Sequence, residues 1–249
     1  MERVSVILGK APVILVCPHG ADDTNTDAIT ELAAQQLNCY AVINRGFERD
    51  EDVDVNNDKA DCNRIDHVKQ DVVFDEFLRP IQRFEQKLSF RNTRQVASAF
   101  GYPIAWGYGG GEPVHLFHIH GCGNLVHKEA GEDVEVIVGY GLGIKKDCLS
   151  CDLWRKNLFV DLYRKYASDG DVFEGKKGGK YAGRDSNNMN QYFRKHEPKS
   201  WVHSMQLEYP FSARNDTSRA VTTAMMLAVV IQDYLAVGEY DKEPPSKFI

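Results

Sequence analysis

The stretch that decides the fold is PVILVCPHGADDTNTDAITELAAQQLNCYAVI, residues 12–43. It begins with a continuous apolar run, which is typical of a strand that is buried on both faces of a sheet. Thr24 or Asn25 can cap a helix that runs to about Leu37, because apolar residues recur there at helical spacing. A second short strand follows at 39–43. This order predicts an α/β fold with a mixed, mostly parallel central sheet and helices on both faces.

The rest of the chain continues this alternation of strands and helices. Further strands are predicted at 114–120, 134–138 and 202–209, and further helices at 71–90, 151–166 and 216–237. Two polar stretches, residues 45–63 and 170–200, have no usable period and are predicted to be long loops. Because no repeat, low-complexity tract or linker divides the sequence, residues 1–249 are predicted to form a single domain.

Composition excludes several classes of protein. The chain has 249 residues, 43% of them hydrophobic and 27% charged, which is ordinary for a globular domain with a sizeable core. Its net charge is −6, and no basic stripe with interleaved aromatic residues predicts a nucleic-acid partner. The longest apolar run, residues 224–231, is far shorter than the roughly 20 residues that span a bilayer.

Location is predicted from the same features. The first residues lack the long apolar segment of a secretory signal. Six cysteines include a single C-x-x-C pair, Cys148 and Cys151, so neither a disulfide framework nor a zinc knuckle is expected. We therefore expect free thiols and a cytoplasmic protein that makes no contact with a membrane.

The first polar motif, CPHGADD at residues 17–23, follows directly after the first central strand. Functional groups in parallel α/β sheets collect just past the carboxyl ends of strands. His19 and Asp22 lie across a turn that Gly20 permits, and imidazole and carboxylate groups both suit zinc. Asp23 can replace Asp22 as the ligand. The alternative is that the histidine caps the next helix and the aspartates favour its N-terminus.

Two later strands carry the second and third motifs, VHLFHIHG at 114–121 and HSMQLEYP at 203–210. Strand alternation places His118 and His120 on one face. His120, at the strand end, can meet the first motif, and His118 fits an orienting role behind a ligand. Gln206 and Glu208 likewise share a face, where a carboxylate can transfer protons during hydrolysis. An ion pair with a neighbouring strand is the alternative for Glu208.

The fourth motif is ADCNRID, residues 60–66, within the first polar stretch. Arg64 can hold a substrate carboxylate through two parallel hydrogen bonds, and Asn63 can add a third. The alternative is an arginine that pairs with Asp61 or Asp66 in an exposed loop.

The order of these four motifs resembles the zinc carboxypeptidase and aspartoacylase superfamily, and within it the N-formylglutamate amidohydrolase family. The resemblance implies a zinc-exopeptidase or phosphorylase/hydrolase-like fold and one Zn²⁺ ion as cofactor. It implies these roles: metal ligation by His19, Asp22 and His120, base catalysis by Glu208, and carboxylate binding by Asn63 and Arg64. The stretches VIVGYGLG, KKGGKYAGR and HSMQLEY, which begin at residues 136, 176 and 203, resemble the formylglutamate branch in particular.

The sequence departs from that family's pattern at two places. The relatives usually carry a further arginine seven or eight residues before the Asn-Arg arginine, where this chain has Asn56 and Asn57. Arg184 or Arg45 is then expected to supply the positive charge that stabilises the oxyanion. His118 also stands where the relatives have a carboxylate.

The resemblance implies zinc-dependent hydrolysis of an amide such as an N-acyl or N-formyl amino acid. The substrate is expected to be a small molecule or short peptide that bears a carboxylate. One alternative is a carboxypeptidase or amidase that acts on a short peptide or a cell-wall fragment. Another is a non-catalytic, ligand-binding member of the fold, which the missing arginine supports. The acyl group and the oligomeric state stay open.

Overall fold

The fold is built on one seven-stranded sheet. A computed structural model describes residues 2–99, 113–124, 134–141, 149–167, 171–175, 181–193 and 202–237. Its strands are β1 (Val4–Ile7), β2 (Val13–Cys17), β3 (Tyr40–Asn44), β4 (Val114–Cys122), β5 (Val134–Gly139), β6 (Asp171–Glu174) and β7 (Val202–Pro210). Its α-helices are α1 (Thr26–Leu37), α2 (Ile65–Val68), α3 (Asp71–Val73), α4 (Arg79–Ala99), α5 (Leu153–Tyr166) and α6 (Thr217–Ala236).

The strands lie in the order β1-β3-β2-β4-β7-β5-β6. The four central strands, β3, β2, β4 and β7, run parallel to one another. Strand β1 is antiparallel to β3, and β5 is antiparallel to β7 but parallel to β6. The prediction of a mixed, mostly parallel sheet is therefore confirmed.

The residues of β2 alternate between two hydrophobic cores. Val13, Leu15 and Cys17 belong to a core that includes apolar side chains of α1, α5 and α6. Ile14 and Val16 belong to a second core, on the other face, that includes side chains of α4 and of the segment before it. All five side chains are fully buried, as the continuous apolar run predicts. Helices cover both faces of the sheet, which confirms the predicted architecture.

The parallel register brings the ends of three strands to one edge of the sheet. His120 on β4 is the direct cross-strand neighbour of Glu208 on β7. Strand β2 lies beside β4 and ends two residues before His19. The second and third motifs are thus in register at this edge, and the first follows on the adjacent strand.

The predicted helix at 71–90 is longer and less regular than its periodicity indicates. A π-helical turn, Phe74–Leu78, separates α3 from α4, and α4 continues to Ala99. The wide turn lies just before Pro80, which has no amide hydrogen to donate to the preceding turn.

The described parts of the two polar stretches are loops with short ordered segments. The first contains a 3-10 turn, Val55–Asn57, and the second contains β6 and the 3-10 turn Met189–Gln191. Cys148 and parts of two quoted motifs, residues 142–143 and 176–180, lie outside the described residues. Within the described part of the chain, no helix has both the length and the apolar character needed to cross a bilayer.

Two histidines are buried at the other end of the central strands. His115 on β4 and His203 on β7 stack with their ring centroids 5.5 Å apart. The hydroxyl of Tyr234 and Nδ1 of His115 share a hydrogen bond of 3.0 Å. Burial, with the nearby His203 and the charge of Arg155, holds the pKa of His115 well below its ordinary value.

This depressed pKa predicts that acid destabilises the fold. Below a pH of about 6.5, where a histidine in the unfolded chain becomes protonated, the unfolded state binds more protons than the folded state. The free energy of unfolding then falls by up to about 1.4 kcal/mol per pH unit for such a histidine. His115→Gln keeps a hydrogen-bonding group for Tyr234 but cannot titrate. We expect urea denaturation of this variant to show a shallower loss of stability in acid than wild type, and equal slopes would contradict the assignment.

Candidate metal centre and catalytic cavity

A cavity of about 530 Å³ opens at the edge where β2, β4 and β7 end. Each of the four sequence motifs contributes to its wall, through His19, Asn63, His120 and Glu208 among others. This volume suits a small molecule or the end of a short peptide.

Three buried side chains in the cavity wall converge on one point. One ligand atom from each of His19, Asp23 and His120 lies within 4.8 Å of the other two. The Nδ1 atoms of the two histidines are 3.3 Å apart. Nδ1 of His19 is also 3.7 Å from Oδ2 of Asp23. These are the only three described residues of ligand type that approach one another in this way.

The donor set and its spacing fit a zinc ion. Two imidazole nitrogens bound to one tetrahedral zinc at about 2.0–2.1 Å lie about 3.3–3.4 Å from each other. The observed separation of the two Nδ1 atoms matches this value. Two histidines and one carboxylate also leave a fourth position open, as catalytic zinc sites require.

A carboxylate behind His19 fixes the orientation of its ring. Nε2 of His19 donates a hydrogen bond of 2.8 Å to Oδ1 of Asp61. The backbone amide of Asn63 donates to the same oxygen at 2.8 Å. With its proton on Nε2, the ring directs the lone pair of Nδ1 toward His120 and Asp23, as in many histidine ligands. Sequence analysis considered Asp61 only as a partner of Arg64, although it lies in the same motif.

The pKa shifts of Asp23 and His120 favour the protonation states that metal ligands need. Burial opposes ionisation of Asp23, but hydrogen bonds from His19 and the Gly121 amide outweigh it and lower the pKa to about 2. Burial and the charge of His19 hold the pKa of His120 well below its ordinary value. At neutral pH, Asp23 is therefore ionised and His120 is a neutral imidazole, whose one unprotonated ring nitrogen can bind a metal.

His19 responds to the negative charge around it. Burial disfavours its protonation, but Asp23 and Asp61 outweigh burial and raise its pKa. The ligand atoms of His19, Asp23 and His120 therefore converge at a place that attracts positive charge.

The structure brings Asp23 to this cluster and leaves out Asp22, the ligand that the resemblance implies. The amides of both aspartates donate to the carbonyl of His19, so the chain makes a helical turn at this point. A helical turn brings both the third and the fourth residue after His19 near its side chain, so the other contacts of the two aspartates decide between them. Oδ2 of Asp23 accepts a hydrogen bond of 2.9 Å from the amide of Gly121 in the cavity wall. Asp22 is exposed instead, and its carboxylate accepts a hydrogen bond of 2.9 Å from the amide of Arg49.

Glu208 lies in the cavity wall next to the metal cluster. Its side chain and that of Gln206 are buried and both line the cavity. Nε2 of Gln206 donates a hydrogen bond to Oε1 of Glu208. A carboxylate at this place, held by an amide, can exchange protons with a molecule that occupies the cavity.

His118 does not line the described cavity. It is fully buried, and its Nε2 lies 3.0 Å from Oγ of Ser204. Burial lowers its pKa to about 3. Nδ1 of His118 has no hydrogen-bond partner among the described residues. His118 thus forms a hydrogen bond with Ser204 and not with a histidine of the metal cluster. The residue that orients a histidine of the cluster is Asp61.

Arg45 and Arg184, the two arginines expected to stabilise the oxyanion, do not line the described cavity. Arg45 forms ion pairs with Asp27 and Glu31 of α1. Arg184 is exposed. Their predicted role is therefore not supported by their places in the fold.

Of the two residues of the Asn-Arg pair, only Asn63 lines the cavity. The buried Oδ1 of Asn63 has no hydrogen-bond partner among the described residues. Arg64 forms an ion pair of 2.7 Å with Asp66, as the alternative interpretation predicts, and it is not part of the described cavity wall.

Two other arginines line the cavity. Arg49 is 3.0 Å from Oδ1 of Asp23, and 45% of its side chain is exposed, so its guanidinium can still meet a ligand. Arg214 is buried and donates hydrogen bonds to three backbone carbonyls, those of Thr24, Cys122 and Tyr209. Arg214 therefore ties the ends of β4 and β7 to the segment before α1. Sequence analysis did not select either arginine.

Comparisons with known proteins support the fold. No protein-family model matches the sequence, and no curated protein matches it. The structure is similar to that of gene product Atu2144 from Agrobacterium tumefaciens, with a TM-score of 0.54 and 12% identity over 95% of this chain and 96% of that one. It is also similar to a bacteriophage poly-γ-glutamate hydrolase, with a TM-score of 0.50 and 12% identity over 94% of this chain and 90% of that one. At this identity, the likeness establishes a shared fold.

Proposed function

We propose that this chain is a zinc-dependent hydrolase that cleaves an amide bond in a small molecule or short peptide bearing a carboxylate. The observation that carries the proposal is the convergence of His19, Asp23 and His120 beside Glu208 in one cavity. The fold shared with a bacteriophage poly-γ-glutamate hydrolase supports an amide as the scissile bond. An N-acyl or N-formyl amino acid, of which N-formylglutamate is an example, is the substrate class that we favour.

The reaction divides between the metal and the side chains. When bound by His19, Asp23 and His120, zinc supplies a Lewis acid that lowers the pKa of water and polarises a carbonyl group. Glu208 accepts the proton of the attacking water and delivers it to the nitrogen of the departing amine. Asp61 keeps the ring of His19 in the orientation that ligation needs.

Arg49 and Asn63 are the groups that we assign to substrate binding. The exposed guanidinium of Arg49 can form charge-assisted hydrogen bonds with a substrate carboxylate. The buried Oδ1 of Asn63 can accept a hydrogen bond from the substrate amide, which would satisfy an otherwise unpaired oxygen. Together they would hold the scissile bond at a fixed place relative to Glu208.

The proposed function is tested by assaying zinc-loaded protein for release of free amine. The substrates are N-formylglutamate, N-acetylated amino acids, dipeptides with a free carboxyl terminus, and poly-γ-glutamate. We expect cleavage of at least one class, and its loss after chelation. If the zinc-loaded protein cleaves none of them faster than the Glu208→Gln variant does, the hydrolase proposal fails and the non-catalytic alternative is favoured.

Replacing Arg49 by glutamine tests the assignment of the carboxylate site. A hydrogen bond to a charged group contributes about 1.5–3 kcal/mol, so we expect KM to rise about 10- to 150-fold for a carboxylate-bearing substrate. The methyl ester of the same substrate should be affected much less. Arg64→Gln is the matched control, since Arg64 pairs with Asp66 outside the cavity. Equal effects of the two substitutions on KM, at unchanged zinc content, would contradict the assignment.

A further inference from the structure

A chain of hydrogen-bonded side chains leads from the loop before β7 to Glu208. Nδ2 of Asn188 donates to Oε1 of Gln206 at 3.1 Å. Nε2 of Gln206 in turn donates to Oε1 of Glu208. All three side chains line the cavity. The donors therefore all point in one direction, from Asn188 toward the carboxylate.

A backbone amide sets this direction. Asn188 caps the 3-10 turn Met189–Gln191, and its Oδ1 accepts a hydrogen bond of 2.8 Å from the amide of Asn190. Because a backbone amide can only donate, the oxygen of the Asn188 side chain must face it, and Nδ2 must face Gln206. Gln206 must then present its oxygen to Asn188 and its NH₂ group to Glu208.

The loop that carries Asn188 is itself held in place. The amide of Ile65 donates to the carbonyl of Asn187 at 2.7 Å, and the amide of Met189 donates to the carbonyl of Asn63 at 2.9 Å. These bonds join the loop to the Asn-Arg segment on both sides of Asn188.

The next residue in the turn is anchored in the protein interior. The side chain of Asn190 is fully buried. Its Oδ1 accepts a hydrogen bond of 2.6 Å from Oγ of Ser204, and its Nδ2 donates to Oγ of Ser150 at 2.9 Å. The amide that orients Asn188 therefore belongs to a residue with little freedom to move.

We propose that Asn188 is a positioning residue, which fixes the Gln206 amide with its NH₂ group toward Glu208 and so restrains the carboxylate of the base. The inference rests on the proposed function, because it gives Glu208 a reaction to perform. Asn188 acts through Gln206, so its loss should change the rate of the chemical step more than the binding of substrate.

Asn188→Asp is the substitution that tests this arrangement. Aspartate is nearly isosteric and caps a helical turn as well as asparagine does, so the turn should be retained. Its second oxygen is an acceptor, which requires the Gln206 amide to reverse and to present its own oxygen to Glu208. We expect kcat to fall by about 10- to 100-fold, since misplacement of a reacting group by about 1 Å costs on the order of 10²-fold. We expect KM to stay within about twofold of wild type, because substrate contacts are retained.

Asn187→Ala is the matched control. The Asn187 side chain exchanges hydrogen bonds with Asp66 on the outer side of the same loop. Its removal loosens the loop without changing the chain of donors, so kcat should stay close to that of wild type. Equal losses of kcat in Asn187→Ala and Asn188→Asp would mean that loop integrity alone matters, and would overturn the proposal. If Asn188→Asp does not fold, Asn188→Ser retains the cap but cannot reach Gln206, and the same loss of kcat is expected.

A measurement that does not need activity separates this inference from the proposed function. The ¹H and ¹⁵N signals of the Gln206 side-chain amide, recorded on zinc-loaded protein, should move in Asn188→Asp and stay in place in Asn187→Ala. If these signals are the same in wild type and Asn188→Asp, the inference is wrong, whether or not the protein hydrolyses anything. If wild type is active, Glu208→Gln is inactive and Asn188→Asp keeps its kcat, the inference alone fails.

Discussion

Replacing Glu208 by glutamine is expected to lower kcat by about 10²- to 10⁴-fold, the range that a general acid–base contributes in enzymes. Glutamine keeps the size of the side chain but has no carboxylate to accept the proton of the attacking water. Glu208 is the buried carboxylate on β7 that lies directly across from His120 in the sheet. The measurement is the initial rate of amine release at saturating substrate by protein with a known zinc content.

The control for this prediction is a glutamate outside the cavity. Glu31 lies on α1 and forms an ion pair with Arg45. Surface ion pairs of this kind contribute about 0–1 kcal/mol, so Glu31→Gln should retain the activity of wild type. A Glu208→Gln variant that binds zinc and keeps more than about one tenth of the kcat would remove Glu208 from the role of base.

Replacing Asp23 by asparagine is expected to weaken zinc binding by more than about 100-fold, because even partners behind a metal ligand contribute about 10- to 100-fold to affinity. Asparagine removes the negative charge that lies 3.7 Å from His19 and faces the cluster. The measurement is a competition titration of zinc against a chromophoric chelator.

The neighbouring aspartate gives the control for that titration. Asp22 is exposed and bonded to the amide of Arg49, so Asp22→Asn should bind zinc as wild type does. The reverse order of affinities would return the ligand role to Asp22 and contradict the assignment of Asp23.

The sheet and its functional edge could be predicted because they depend on simple periodicities. The apolar run of β2 and the helical spacing of α1 indicate a parallel sheet, and parallel strands place their carboxyl ends on one side. Strand alternation puts His120 on one face with His118, and Glu208 on one face with Gln206. Their places nearer the strand ends then distinguish His120 and Glu208. These features repeat every two or three to four residues, so they are visible in a single sequence.

The choice between Asp22 and Asp23 could not be predicted from spacing. In the helical turn observed here both aspartates can approach His19. The hydrogen bonds that place them come from distant residues, the amide of Gly121 for Asp23 and the amide of Arg49 for Asp22.

The place of Arg49 in the cavity wall could not be predicted because loops have no period. Arg45, Arg49 and Arg64 all lie in or beside the first polar stretch, and only their ion-pair partners distinguish them. Arg49 pairs with Asp23 at the cavity, while Arg64 pairs with Asp66 outside it. Contacts such as that between His19 and Asp61 join residues 42 positions apart, so only the folded structure reveals them.

The most direct test of this account is elemental analysis of purified protein for bound metal. We predict one zinc ion per chain in the wild type, and little or none in His19→Ala and His120→Ala under the same conditions. Circular dichroism should show that both variants are folded. The account would be contradicted by zinc that stays bound at full stoichiometry in both variants, or by wild-type protein that takes up no zinc when the ion is supplied.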